Sequence, residues 1–507
     1  MLIREVLAAA AADRPEQCAV RCGEKRLAYR ELEDVVSRAA SGLVKLGLAP
    51  GDRIAVLLPN SLELAVILLA AFQCDLVVVV LLTEYAPPQF SYILADTGAK
   101  ALITTQALRG AIPAQSLDTL SVCIVTDAAT PGCIAYQELL DAEPHRGDVN
   151  DPDPLCLIVY TSGTTGRPKG VAHSQARFVA RADAFIKAME LSAADVALTV
   201  FPLAKPVSLV TQFLAMLCVG GSLALAELLG SDEYWRYYHS VRPTYALLMP
   251  SYARRLLRVP SSPLAEHSRL RFWSVSGDHS GPDLDRDMAS VTGRPVRNMI
   301  GMTELGAYCV SHNSAPVKSG SVGKPLEGVE IRLVGPDGRD ARVGEPGRLL
   351  VRSPNMMVGY WNDTLRTHKA LRSGWFDTQD VMKMDEDGDY WFVCRAAEVI
   401  VRNAVNVSTA LIIEALTAHA DVESVAVVGV LDPIEGQAPV AFYRLKEMAQ
   451  DPGAEALLAW CAARVDEESV PVGCLRIEHW PQTQQGKLDR EQLGRLAKAW
   501  RSGGERG

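Results

Sequence analysis

The apolar run Leu155-Cys156-Leu157-Ile158-Val159 leads into Tyr160-Thr161-Ser162-Gly163-Thr164-Thr165-Gly166-Arg167-Pro168-Lys169-Gly170, a Gly/Ser/Thr-rich loop that ends in one lysine. This composition describes a phosphate cradle. The glycines let successive backbone N–H groups turn toward one anion, the hydroxyls add donors, and Lys169 supplies a point charge. The common mononucleotide loop places four residues between its first glycine and a Gly-Lys-Ser/Thr ending. Here only Thr164 and Thr165 separate Gly163 from Gly166, Lys169 is followed by Gly170, and Pro168 has no N–H to offer a phosphate. A Ser/Gly linker is the alternative reading, but linkers rarely follow a buried strand so directly.

A chain of 507 residues exceeds one core of ordinary size, so two or more domains are expected. Hydrophobic residues make up 48% and charged residues 22%, the balance of an ordinary globular protein. A net charge of -9, with no basic tail to offset it, argues against nucleic-acid binding. The cysteines, among them Cys18, Cys156, Cys309 and Cys461, are scattered without metal-ligand spacing and read as buried thiols of a reducing compartment. No signal peptide is expected, since acidic Asp13 arrives before any long apolar stretch, and a cytoplasmic location follows as an expectation. The most apolar region, Leu62 to Leu82, is broken by Glu63, Gln73 and Asp75. It predicts a core helix over about 62–72 and a buried strand over 76–82, not a membrane span.

Short apolar strands alternate with helical patterns through the first 300 residues: 53–58, 76–82, 101–104, 122–125 and 155–159. The alternation predicts an α/β fold with helix-covered, largely parallel sheets. Ser174 is placed to cap a helix whose apolar face is Phe178, Ala182, Phe185 and Met189. From about Gly320 the texture becomes turn-rich β, with Gly-Pro-Asp-Gly at 335–338 and Gly-Glu-Pro-Gly at 344–347. A last segment has its own strands, 424–430 and 440–445, and helices at about 409–418 and 453–466. It predicts a small α+β domain, dividing the chain into 1–395 and 396–507.

Four more clusters join the loop. Gly301-Met302-Thr303-Glu304 sets a hydroxyl and a carboxylate after an apolar stretch, a pairing suited to a phosphate oxygen and a hydrated Mg²⁺. Trp375-Phe376-Asp377-Thr378-Gln379-Asp380 offers a carboxylate to the two hydroxyls of a ribose, Arg395 follows, and Gly486-Lys487 sits near the carboxyl terminus. Each cluster alone is weak, because an isolated carboxylate in a turn is usually solvated or capping. Their joint order and spacing resemble the adenylate-forming superfamily of acyl-CoA synthetases, peptide-synthetase adenylation domains and luciferases, over nearly the whole chain and nearest in pattern to aryl-acid CoA ligases. Ser276-Gly277-Asp278-His279-Ser280-Gly281-Pro282 and Gly323-Lys324-Pro325 are similar to the family's adenine-side turn and later glycine motif.

The resemblance implies a large amino-terminal domain, a β-rich subdomain and a small mobile carboxyl-terminal domain. It also implies a reaction in which an organic, expectedly aromatic, acid attacks the α-phosphate of ATP, releases pyrophosphate and passes from acyl-AMP to a thiol of CoA or of a carrier protein. By motif position, Thr161, Ser162, Gly163, Thr164, Thr165, Gly166 and Lys169 hold the β and γ phosphates, Thr303 the α-phosphate and Glu304 the Mg²⁺. Gly277, Asp278, His279, Ile300, Gly301 and Met302 form the adenine side, Asp380 binds ribose and Arg395 assists. Lys487 bridges the reacting carboxylate and phosphate, while Lys205, Ser208 and Ser276 fall at the acid pocket. Positioning and charge neutralisation supply most of the rate in such chemistry.

Several positions depart from the family pattern. Ile300 stands where an aromatic residue usually meets adenine, and Gln379 replaces a glycine of the ribose motif. Ala397 occupies a usually polar hinge, and Asn403-Ala404-Val405 replaces the Gly-Gly-Glu turn that lines the pantetheine tunnel, which places the thioester step in question. Lys205 stands where the family tends to have an aromatic residue and then histidine. A lysine there attracts a further anion, and the alternative is a surface lysine snorkelling from a loop. These departures support a second function, adenylation with an amine acceptor or activation of a small oxyanion such as nitrite for an arylamine. A nucleotide-binding pseudoenzyme is a third, opposed by the joint presence of Lys169, Glu304, Asp380 and Lys487.

Overall fold

The computed structural model describes the chain apart from residues 84, 145–150, 162–167, 259–268, 278–280, 396–399, 403–404, 408, 433–435, 483–487 and 505–507. It divides into two compact units that interleave in sequence. The first comprises Met1–Ile331, Val351–Phe376 and Asp387–Trp391, the second Arg332–Leu350, Asp377–Glu386 and Phe392–Gly507.

The first unit is α/β, as the alternating pattern predicts. Among the described residues it has an eight-stranded sheet whose centre runs Leu155–Thr161, Val77–Val80, Arg53–Leu57, Ala101–Thr104 and Val122–Val125, all parallel. The four consecutive valines at 77–80 are all buried, as a strand covered on both faces requires. The helix Leu62–Gln73, capped by the Ser61 hydroxyl on the Leu64 N–H at 3.1 Å, is buried at every residue but Glu63. No helix among the described residues is long and apolar enough to cross a membrane. A nine-stranded sheet carries the parallel strands Cys18–Cys22, Ser222–Leu225, Val196–Thr199, Tyr245–Leu248, Phe272–Val275 and Val296–Met302.

The helix Gln175–Met189 buries Phe178, Ala182, Phe185 and Met189 as expected. Its cap differs from the expectation. Ser174 makes no side-chain capping bond; Asp153 accepts from the Ala176 N–H at 2.9 Å and from the Ser174 hydroxyl at 2.8 Å. A carboxylate at that first turn also meets the positive end of the helix dipole, which a hydroxyl does less well.

In the second unit the long strand Gly436–Leu445 pairs antiparallel with Val422–Asp432 and parallel with Gly473–Arg476. Val427, Ala441, Leu416 and Leu457 fill one face of this sheet, and Val440, Phe442, Leu493 and Ala497 the other. The residues on both sides of the expected boundary at 395 are joined within the second unit. The Thr378 hydroxyl donates to the Leu349 carbonyl at 3.1 Å, and Arg395 donates to the Thr378 carbonyl at 3.2 Å.

Candidate active site

The strand Leu155–Thr161 returns antiparallel as Lys169–Ser174, with Thr161 opposite Lys169 and Tyr160 opposite Gly170. The glycine-rich segment thus lies between two strands that pair antiparallel, and Lys169 opens the second of them. Ser162, Gly163, Thr164, Thr165 and Gly166 lie outside the described residues. At the edge of the described residues the Thr161 hydroxyl is buried with no partner among them.

Lys169 meets Glu304 as a sequence separation of 135 residues could not reveal. The Lys169 ammonium donates to Glu304 Oε1 at 2.7 Å and to the Tyr360 hydroxyl at 2.8 Å, and Tyr360 donates to the same Oε1 at 2.9 Å. The ammonium also lies 4.6 Å from the centre of the Tyr360 ring. Glu304 is only 3% exposed, so this closed triangle is what keeps a buried carboxylate tolerable. Removing either charge of such a pair costs about 3–5 kcal/mol. Burial and the Glu304 carboxylate push the Tyr360 hydroxyl far above the ordinary phenol range, leaving it a neutral donor.

The hairpin of Val296–Met302 and Gly306–Val310 presents Thr303 and Glu304 at its turn, with Ile300, Gly301 and Met302 leading into it. A Cβ at Gly301 would stand 2.5 Å from the Gly306 carbonyl oxygen, so this crossing admits only glycine. Tyr360 is brought in by the short strand Gly359–Tyr360, which pairs with the lysine's own strand at Val171. Two arginines one helical turn apart fix the segment before it. Arg177 donates to the Met356 and Met357 carbonyls at 2.8 and 2.7 Å, and Arg181 to the Asn355 carbonyl at 2.6 Å. Met357 in turn gives its N–H to the Glu304 carbonyl at 2.6 Å. Burial, then Arg177, lowers the Arg181 guanidinium to about 9, and burial beside both arginines holds His173 well below its usual range.

Of the residues expected at the acid pocket, Ser276 is buried and its N–H bonds the Leu248 carbonyl at 3.1 Å. Gly277 has φ +97°, and a Cβ there would touch the Phe201 ring at 3.6 Å. Asn60 fixes the loop that follows Phe201. Its amide donates to the Phe201 and Ala226 carbonyls at 2.7 and 2.8 Å, and its carbonyl accepts from the Leu203 N–H at 2.7 Å. Lys205, half-buried, caps the short helix Pro206–Ser208, which continues as a π-helical turn over Leu209–Leu214. Such turns are rare and concentrate at functional sites. Ser208 and Gln212 are fully buried, and each has an oxygen without a partner among the described residues. Asp278 and His279 lie outside the described residues.

In the second unit Asp380, 3% exposed, pairs with Arg395 at 2.8 Å. Its N–H bonds the Thr378 hydroxyl at 3.0 Å. Gln379 sits at φ +61°, which explains why glycine suits this position in the ribose motif. Lys487, Ala397, Asn403 and Ala404 lie outside the described residues.

Sequence reasoning missed Tyr360, Asn60, Arg177 and Arg181. Only the arginines carried a signal: two charges four residues apart beside the apolar face of Phe178 and Ala182. As for a metal, no group of three or more His, Cys, Asp or Glu side chains gathers among the described residues. One buried carboxylate with a nearby hydroxyl fits Mg²⁺, which keeps waters and substrate phosphates as its other ligands.

A sheet-bound lysine thus meets a buried carboxylate and a neutral phenol at one end of the α/β unit. The AMP-binding enzyme family matches residues 7–361, and the AMP-binding enzyme C-terminal domain matches residues 413–487. The chain belongs to this family of adenylate-forming enzymes and is an AMP-forming ligase. It is 32% identical to the indoleacetate–CoA ligase of Aromatoleum aromaticum, with 95% of each chain covered. It is 31% identical to the feruloyl-CoA synthase of an Amycolatopsis species, with 94% of each covered. Its fold superposes on the amide bond synthetase McbA of Marinactinospora thermotolerans with TM-score 0.86 and 25% identity, covering 98% of this chain and 100% of that one.

Proposed function

We propose that this ligase adenylates an aromatic carboxylic acid with ATP and transfers the acyl group to the thiol of CoA. The observation that carries the reading is the Lys169–Glu304–Tyr360 triangle beside the loop-edge Thr161. Lys169 and the Thr161 hydroxyl bind the β and γ phosphates, and Thr303 orients the α-phosphate. Glu304 holds Mg²⁺, which supplies neutralisation of phosphate charge when bound. Asp380 takes the ribose hydroxyls, with Arg395 paired to its carboxylate at 2.8 Å. The acid's carboxylate oxygen then attacks the α-phosphorus, the bond to pyrophosphate breaks, and a thiol displaces AMP from the acyl carbon in a second step. Lys487 neutralises the reacting carboxylate and phosphate in the first step. The two indole- and phenylpropenoid-type relatives support an aryl acid. Lys205 favours an acid with a second anionic group, a carrier protein is a further thiol donor, and the cytoplasm is the proposed location.

A pyrophosphate-release assay over a panel of aryl acids, with and without CoA, tests the reading. Acid-dependent release together with an acyl-CoA product is expected. Release from an acid with no thioester formed rejects the thiol step. A second reading, an amine acceptor, is favoured by the full-length likeness to an amide bond synthetase. Amide formation on adding an amine to the same mixture would establish it.

A further inference from the structure

We propose that Tyr360 is a positioning residue that keeps Glu304 aimed at its cation while Lys169 engages a phosphate; this rests on the adenylation reading above. An ammonium has three N–H donors, and Lys169 directs two of them at Glu304 Oε1 and the Tyr360 hydroxyl. A phosphate oxygen is a strong competitor for those donors. When Lys169 turns to it, Glu304 loses its charged partner and keeps the Tyr360 O–H at 2.9 Å. That hydroxyl is uncharged and does not follow the lysine.

Two observations make Tyr360 a fixed support and not a passive neighbour. Its strand pairs with the strand of Lys169, and its own N–H bonds the Thr367 hydroxyl at 2.9 Å, so the ring cannot drift with the turn it touches. The same segment holds Glu304 a second time through its backbone, where Met357 donates to the Glu304 carbonyl at 2.6 Å. Both side-chain bonds fall on Oε1, and Oε2 has no hydrogen bond among the described residues. Tyr360 thus assigns the two oxygens: Oε1 to the protein, Oε2 to a divalent cation, which takes oxygen ligands in strict geometry.

Tyr360→Phe in the full chain tests this, because the ring and its packing stay while the hydroxyl goes. The half-saturating Mg²⁺ for ATP binding, read by calorimetry without any acid, is expected to rise about three- to tenfold, the scale of one hydrogen bond to a charged group. Adenylation is expected to fall about tenfold with the KM for the acid held within about twofold. Lys169→Met, which leaves the Tyr360–Glu304 bond in place, is expected to weaken ATP binding without raising its Mg²⁺ requirement. An unchanged Mg²⁺ requirement in Tyr360→Phe, or an equal rise in Lys169→Met, overturns the role. Failure of the unaltered protein to release pyrophosphate with any acid overturns the adenylation reading, and the calorimetric comparison still decides the role of Tyr360.

Discussion

Arg177 grips Met357 from below: its guanidinium holds the Met357 carbonyl at 2.7 Å while the Met357 N–H carries the Glu304 carbonyl at 2.6 Å. The helix Gln175–Met189 is thereby coupled to the residue that bears the buried carboxylate, through the two backbone groups of Met357. Arg177→Met removes the Nη1 group that donates to both the Met356 and Met357 carbonyls. The expected result is a fall in adenylation of about tenfold, the loss of about one charged hydrogen bond, with little change in the KM for ATP. Steady-state pyrophosphate release at saturating acid measures it, and an unaltered kcat would refute the coupling.

His173 makes stability depend on pH. Burial first, then Arg181 and Arg177, holds the folded imidazole well below the ordinary 6.5. Above about pH 6.5 the ring is neutral in the folded and unfolded chain alike, so its contribution is fully present. As the pH falls below that value, the unfolded chain takes up a proton that the folded one refuses, and stability is lost at up to about 1.4 kcal/mol per pH unit. Apparent melting temperatures of the protein and of His173→Asn at pH 7.5 and 5.5 report this: the unaltered chain should lose more on acidification. Parallel losses would show that His173 is not the group responsible.

Gln379 occupies the left-handed region at φ +61°, where a Cβ costs about 1–2 kcal/mol. Gln379→Gly relieves that strain and adds about 0.5–1 kcal/mol of unfolded-chain entropy. Net stability is expected to hold steady or rise by about 1 kcal/mol. A clear drop in melting temperature would mean that the glutamine side chain itself supports the Asp380 turn.

Lys487→Ala is expected to abolish acyl-AMP formation and to leave ATP binding within about threefold, since a cation acting only on the reacting carboxylate and phosphate contributes little to ground-state affinity. Rapid-quench detection of the adenylate and calorimetry on ATP separate the two effects. Adenylate formed at the ordinary rate would remove Lys487 from the mechanism.

The parallel sheets, the helix Leu62–Gln73 and the strand after it were legible because burial on both faces writes continuous apolar runs, as at Val77–Val80. Lys169, Glu304, Asp380 and Arg395 were legible because their motifs are local. The return strand Lys169–Ser174 was not, since its short Lys-Gly-Val-Ala-His-Ser run has neither strict alternation nor length. Tyr360 and Asn60 were invisible for another reason. Each acts through backbone groups or side chains brought from distant segments, and backbone partners leave no mark on the sequence. Asp153 took the capping role read at Ser174 in the same way, by reaching across from outside the helix.

The pairing of Thr161 with Lys169 has an engineering consequence. Because the sheet pairs these two residues, the cation that meets Glu304 stands on the paired strand itself. Exchanges confined to 162–167 are therefore expected to leave the Lys169–Glu304–Tyr360 contacts in place.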